Sequence, residues 1–119
     1  PQYRIAALPE GYTETERAAS YAAGDVKYTN ADGDMILLSY LYMSDGVVSG
    51  FELDNGDTMT DTQVNGIPAT LIVSSMEGNF SSFTWRDPAS NIEFTVAAVA
   101  DESVIIAMAE SVSLCNSTN

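Results

Sequence analysis

The sequence predicts an α+β domain: an antiparallel β-sheet meander of about five to seven strands, with a C-terminal helix packed on one face. Three observations predict it. Short runs alternate apolar and polar residues, most cleanly in IEFTVAAVA at residues 92–100, the period of a strand with one covered face. The runs are separated by NADGD, VNGIP, MEGN and PASN, turns too short for the crossover that parallel strands need. One stretch, DESVIIAMAESVSL, instead spaces its apolar residues as a helix does. The chain of 119 residues fits a single domain spanning 1–119, ordered from about 3 to 114. Residues 115–119 read as a polar tail.

The elements follow in order. YRIAAL is a short apolar run, and Pro9 and Gly11 turn the chain after it into a new strand. ERAASYAA fits strand and helix equally. VKYT and MILLSYLYM flank NADGD, whose Asn, Asp and Gly tolerate the positive φ of a tight hairpin. MILLSYLYM is apolar at both parities, which predicts a central strand covered on both sides. SDGVVSG reads as a loop or short edge piece, and FELDNGDTMTDTQVNG as a polar connection. Gly66 supplies a turn conformation that other residues avoid. IPATLIVSS is a strand with Leu71 and Val73 on one face and Ile72 on the other. FSSFTWRD puts Phe83 and Trp85 on one side, and IEFTVAAVA puts Ile92, Phe94, Val96 and Ala98 inward.

The helix is expected from about Asp101 to Ser113, with Asp101 as N-cap and Glu102 at the positive end of the dipole. Val104, Ile105, Met108, Ala109 and Val112 form its apolar stripe, while Glu110 and Ser111 face solvent or cap a sheet edge. The core predicted from these patterns is Ile36, Leu38, Leu71, Val73, Phe83, Trp85, Phe94, Val96, Ile105 and Met108. Trp85 is read as core rather than as a ligand platform, because Phe83 shares its face and Ile92 and Phe94 lie on the facing strand. Arg86 then sits at the strand end beside Asp87, where an exposed ion pair contributes little.

Composition excludes several functions. The net charge is −13, from four basic and seventeen acidic residues. No Lys or Arg lies between Lys27 and Arg86, an interval that holds Asp32, Asp34, Asp45, Glu52, Asp54, Asp57, Asp61 and Glu77. Such a surface repels nucleic acid and anionic membrane. The acidity otherwise serves solubility, with a cationic partner as the sharper reading. There is no histidine, which removes Ser-His-Asp and Cys-His catalysis and imidazole metal sites. Cys115 stands alone, with no partner for a disulfide and no base beside it. No apolar run approaches the ~20 residues of a membrane span. The chain opens at Pro1 without a leader pattern, so any membrane anchoring is expected through a segment upstream of it.

The sequence offers four candidate roles. Asp32 and Asp34 in NADGD, and Asp54, Asp57 and Asp61 in LDNGDTMTD, are oxygen donors of the kind calcium takes. Neither stretch has the EF-hand order, and hairpin turns use the same residues, so no metal is assigned. A hydrolase would need paired carboxylates, and nothing singles out such a pair; Lys27 has Gly24, not Ser, three residues before it. No catalytic residue or cofactor is assigned. A protein or peptide partner could add to an exposed sheet edge, with the polar segment 50–61 covering or exposing it. Tyr3, Tyr12, Tyr21, Tyr28, Tyr40 and Tyr42 are candidates for a surface patch, though strand tyrosines are mostly half-buried. A structural spacer needs no site.

YRIAALPEGYTETE, VKYTNADGDMILL, VNGIPATLI, FTWRDPASNIEFTV and ESVIIAMAESV, in that order, resemble a family. It is the domain of unknown function 4367, found C-terminal to the membrane helix of anti-sigma-factor-like bacterial proteins and in lipoproteins, chiefly of Gram-positive bacteria. The similar marks fall on Pro9–Tyr12, Val64–Gly66, Trp85 and Ala109–Ser111, over residues 3–114. The resemblance implies an extracytoplasmic, non-catalytic sensing or binding domain of a membrane-anchored or surface protein, and carries over no catalytic residue. The alternatives are a lipoprotein spacer and a carboxylate-based hydrolase.

Overall fold

The computed structural model describes residues 2–43, 56–76 and 78–115. The expected loop SDGVVSG, together with Glu52, Asp54 and Glu77, lies outside them. Each hairpin forms where its turn chemistry puts it. Strands β3 (Ala23–Thr29) and β4 (Met35–Tyr42) pair across NADGD. There the Asn30 side-chain oxygen accepts the N–H groups of Asp32 at 3.0 Å and Asp34 at 2.9 Å, and Gly33 takes φ 85°. Strands β5 (Thr58–Val64) and β6 (Ile67–Val73) are joined by Asn65 and Gly66 alone. Both have positive φ, 51° and 83°, which matches the right-handed twist of the strands they join. Strands β7 (Ser81–Asp87) and β8 (Ile92–Ala98) turn over residues 88–91. Asp87 anchors that turn: its carboxylate accepts Ala89 N–H at 3.0 Å and its carbonyl accepts Asn91 N–H at 2.8 Å.

With β2 (Thr13–Ala19), these strands make one seven-stranded antiparallel sheet of order β2-β3-β4-β8-β7-β6-β5. It is two meanders, β2–β4 and β5–β8, zipped together by seven register pairs from Ile36↔Ala98 to Tyr42↔Ile92. The ambiguous ERAASYAA resolves as strand β2 and a turn. The polar connection read over FELDNGDTMTDTQVNG is corrected: Thr58–Val64 is edge strand β5. Its residues are exposed up to Gln63 except the half-buried Thr62, so no apolar alternation marks it.

The helix also needs correction. α1 runs Glu102–Glu110, shorter than Asp101–Ser113. Asp101 occupies the N-cap position, but its side chain makes no capping bond. Val112–Leu114 leaves the helical stripe and forms β9, paired with β1 (Tyr3–Ile5) in a separate ribbon. Val104 is exposed, so the stripe narrows to Ile105, Met108 and Ala109, which are buried. Ser111 caps: its hydroxyl donates to Met108 O at 2.7 Å and accepts Ala7 N–H at 3.0 Å.

The core lies between one face of the sheet and the layer made by α1 and the β1–β9 ribbon. Every residue of the predicted core is buried there except Val73, which is half-buried near a strand end. Ile5, Val26, Tyr28 and Tyr40, outside the predicted core, are buried there as well.

Tyr28 shows how the ribbon is held. Its hydroxyl accepts the Ile5 N–H at 2.9 Å in a buried setting. Tyr28→Phe keeps the ring and orphans that donor, so it should cost about 1–3 kcal/mol in urea denaturation, with the β1–β9 ribbon losing amide protection first. Burial, ahead of all other influences, holds the Tyr28 phenol above its ordinary pKa. Between the unfolded and folded pKa values the native state binds more protons, so stability is full below about pH 10 and falls as pH rises further. The Phe variant should flatten that alkaline decline.

Candidate functional site

No sequence motif marks a site, and the geometry supplies the candidates. The sheet has one covered face and one open face. Cross-strand registers place Lys27, Leu37, Ala97, Ser82, Ile72 and Met59 in one transverse row on the open side, with Glu16 at its β2 end. The next row is Ala18, Asp25, Ser39, Thr95, Thr84, Thr70 and Asp61. The first row has Leu37 and Ala97 on one side of Ser82 and Ile72 and Met59 on the other; the second is a ladder of hydroxyls between two carboxylates.

The hydroxyl ladder is internally bonded. Ser39 donates to Asp25 at 2.9 Å, and the Thr84 and Thr95 hydroxyls share a bond of 3.1 Å. Lys27 pairs with Glu16 at 2.9 Å. The apolar residues have no cover: Met59 is 51% exposed and Leu41, further along the face, 46%. MILLSYLYM was expected to be covered on both sides. That is corrected: Ile36, Leu38 and Tyr40 face the core, while Leu37 and Leu41 lie on the open side. A groove of about 630 Å³ runs over β2, β3 and β4, with Glu16, Ala18, Lys27, Met35, Leu37 and Ser39 along it.

On the covered side, at the end of β4, is a smaller cavity of about 210 Å³. Tyr3, Tyr21, Tyr40 and Tyr42 line it with Ser20, Ser90 and Ile92. Tyr3 meets Tyr40 edge-on at 5.1 Å and Phe94 at 4.9 Å. The Tyr40 hydroxyl is buried with no hydrogen-bond partner among the described residues. Burial, and after it the Asp87 carboxylate, holds the Tyr3 phenol above its ordinary pKa.

The other candidates are dispersed. Asp34 accepts from Asn30 Nδ2 at 3.1 Å inside its turn, Asp57 accepts Ser75 N–H at 2.7 Å, and Asp61 is on the edge strand. Among the described residues no three acidic or sulfur side chains gather to hold a metal ion. Trp85 is core, stacked on Phe94 at 5.3 Å. Arg86 donates to Met43 O at 3.3 Å and Asn91 Oδ1 at 3.0 Å. Cys115 follows β9, its N–H donating to Gln2 O at 2.7 Å.

The family model of the domain of unknown function DUF4367 matches residues 2–112. The chain belongs to the DUF4367 family. No curated protein and no solved structure matches it. The matched span takes in every strand of the main sheet, the helix and the first residue of β9. Both the open face and the tyrosine cavity are therefore built from the DUF4367 domain itself. No helix of the DUF4367 domain is long and apolar enough, among the described residues, to cross a membrane.

Proposed function

We propose that this DUF4367 domain is a non-catalytic, extracytoplasmic sensing or binding domain, and that the open sheet face takes a cationic, partly apolar peptide or protein segment. The observation that carries the reading is the apolar group on the open face, with Leu37 and Ala97 on one side of Ser82 and Ile72 and Met59 on the other. Exposed apolar residues grouped on one face of a folded domain mark an interaction site. Toward β2 the row ends in Lys27, paired with Glu16, with Asp25 in the next row, and toward β5 it lies beside Asp61. With a net charge of −13, the face attracts a cationic partner over a distance and repels a second copy of itself. The edge strands β2 and β5 offer main-chain groups to an added strand.

An extended peptide of alternating leucine and arginine is the probe. It should bind saturably and more weakly as salt rises. Leu37→Asp deletes apolar area but adds attractive charge, so binding should fall by about tenfold if apolar burial contributes. Binding that rises in this variant is charge alone and overturns the site; no binding at all leaves a spacer domain. Location is tested separately, by protease accessibility of the natural protein in intact cells: cleavage from outside is expected, and protection until lysis would overturn it.

A further inference from the structure

Around the tyrosine cavity the chain gathers aromatic surface that its core does not use. Tyr21 sits on the β2–β3 turn and is 97% exposed; Tyr42 is 55% exposed. Tyr42 N–H donates to Ala22 O at 2.7 Å, which lays the turn against the end of β4. Tyr3 and Tyr40 form the inner wall, Tyr40 being only 4% exposed. Tyrosines from three separate stretches of chain thus converge on one opening of about 210 Å³.

A carboxylate lies next to the opening. Ser90 on the wall donates to the Asp87 carboxylate at 3.2 Å, and Asp87 pairs with the wall residue Ile92 across β7 and β8. Two nearby guanidinium groups are held by other partners. Arg17 grips both Glu14 oxygens at 2.8 Å while donating to Tyr3 O, and Arg86 is bound to Met43 O and Asn91. Aromatic faces carry negative charge, and a cation over them gains most when partly desolvated. An apolar guest would use the rings but not the carboxylate. An anion would meet both as repulsion.

We propose that this cavity binds an alkylated ammonium group, with the rings of Tyr3, Tyr21, Tyr40 and Tyr42 as its walls and Asp87 as the countercharge behind Ser90. This site lies on the side of the sheet opposite the open face and does not depend on what that face binds.

The experiment is titration of the intact protein with choline, tetramethylammonium and 3,3-dimethylbutan-1-ol, the neutral isostere of choline, followed by calorimetry and amide chemical shifts. Choline should bind saturably, with shifts clustered at residues 20–23, 40–42 and 90–92. The isostere should bind about tenfold more weakly, the scale of a partly desolvated cation–aromatic contact. Tyr42→Leu and Tyr21→Ala alter exposed rings, so the melting temperature should hold while choline affinity falls by about tenfold or more. Equal binding of choline and its isostere would make this a plain apolar pocket and overturn the proposal. So would affinity indifferent to Tyr42→Leu, or no saturation with any of the three.

Discussion

Truncating Trp85 to alanine should destabilise the domain by about 3–5 kcal/mol. The indole is 6% exposed in the middle of β7. It stacks on Phe94 at 5.3 Å with the planes 20° apart, and its centroid lies 5.8 Å from that of Phe83. On the other neighbouring strand its partner is Ala69, too small to fill the space the ring would vacate. Surrounding strands are fixed by their ladders, so the cavity cannot collapse, and the loss combines transfer and cavity terms. Urea denaturation followed by far-ultraviolet circular dichroism measures it without relying on the lost fluorophore. A change below about 1 kcal/mol would place the ring at the surface and make it a candidate for binding.

Gly24→Ala should be nearly as harmful, at about 3 kcal/mol, although it adds one methyl group. Gly24 faces Tyr40 across β3 and β4, and a Cβ at Gly24 would fall inside the Tyr40 ring. The phenol lies flat on the glycine backbone, so the methyl can be admitted only by moving a buried ring that Tyr3 and Phe94 also touch. The double-mutant cycle separates this clash from other causes. In a Tyr40→Ala background the same substitution should cost nothing and recover about 0.5–1 kcal/mol, since alanine suits a strand better than glycine. An equal cost in both backgrounds would rule out the ring as the obstacle.

Where burial alternates with sequence, the fold was legible. IEFTVAAVA and FSSFTWRD could be read directly, because period-two patterning states which side meets the core. Edge strand β5 was not, because it has almost nothing to bury and therefore no alternation to read. Val112–Leu114 was misread because it continues the helical spacing for one more turn, while its partner β1 lies at the other end of the chain. Only tertiary pairing decides between those two readings.

The candidate sites were less legible still. The apolar row of the open face draws one residue from each of several strands, and the β4–β8 register that aligns them is not written locally. Leu37 and Leu41 carried a usable signal, yet two apolar parities in one strand fit a double-covered strand as well as an open apolar face. The four cavity tyrosines were each visible, but nothing in their spacing says that the β2–β3 turn leans on the end of β4.

The β1–β9 ribbon has a mechanical consequence. Its antiparallel register, Tyr3↔Leu114 to Ile5↔Val112, puts Gln2 beside Cys115 at the outer end. Tension applied between those two residues pulls along the direction of the ribbon's hydrogen bonds, which cross between the strands. The bonds are therefore loaded one after another, as in a zip, rather than together in shear. A weak pull would peel the ribbon first and bring the load to the Ile5–Tyr28 and Ala7–Ser111 contacts. The seven-stranded sheet would still be intact at that stage, which makes the ribbon the compliant element of the domain.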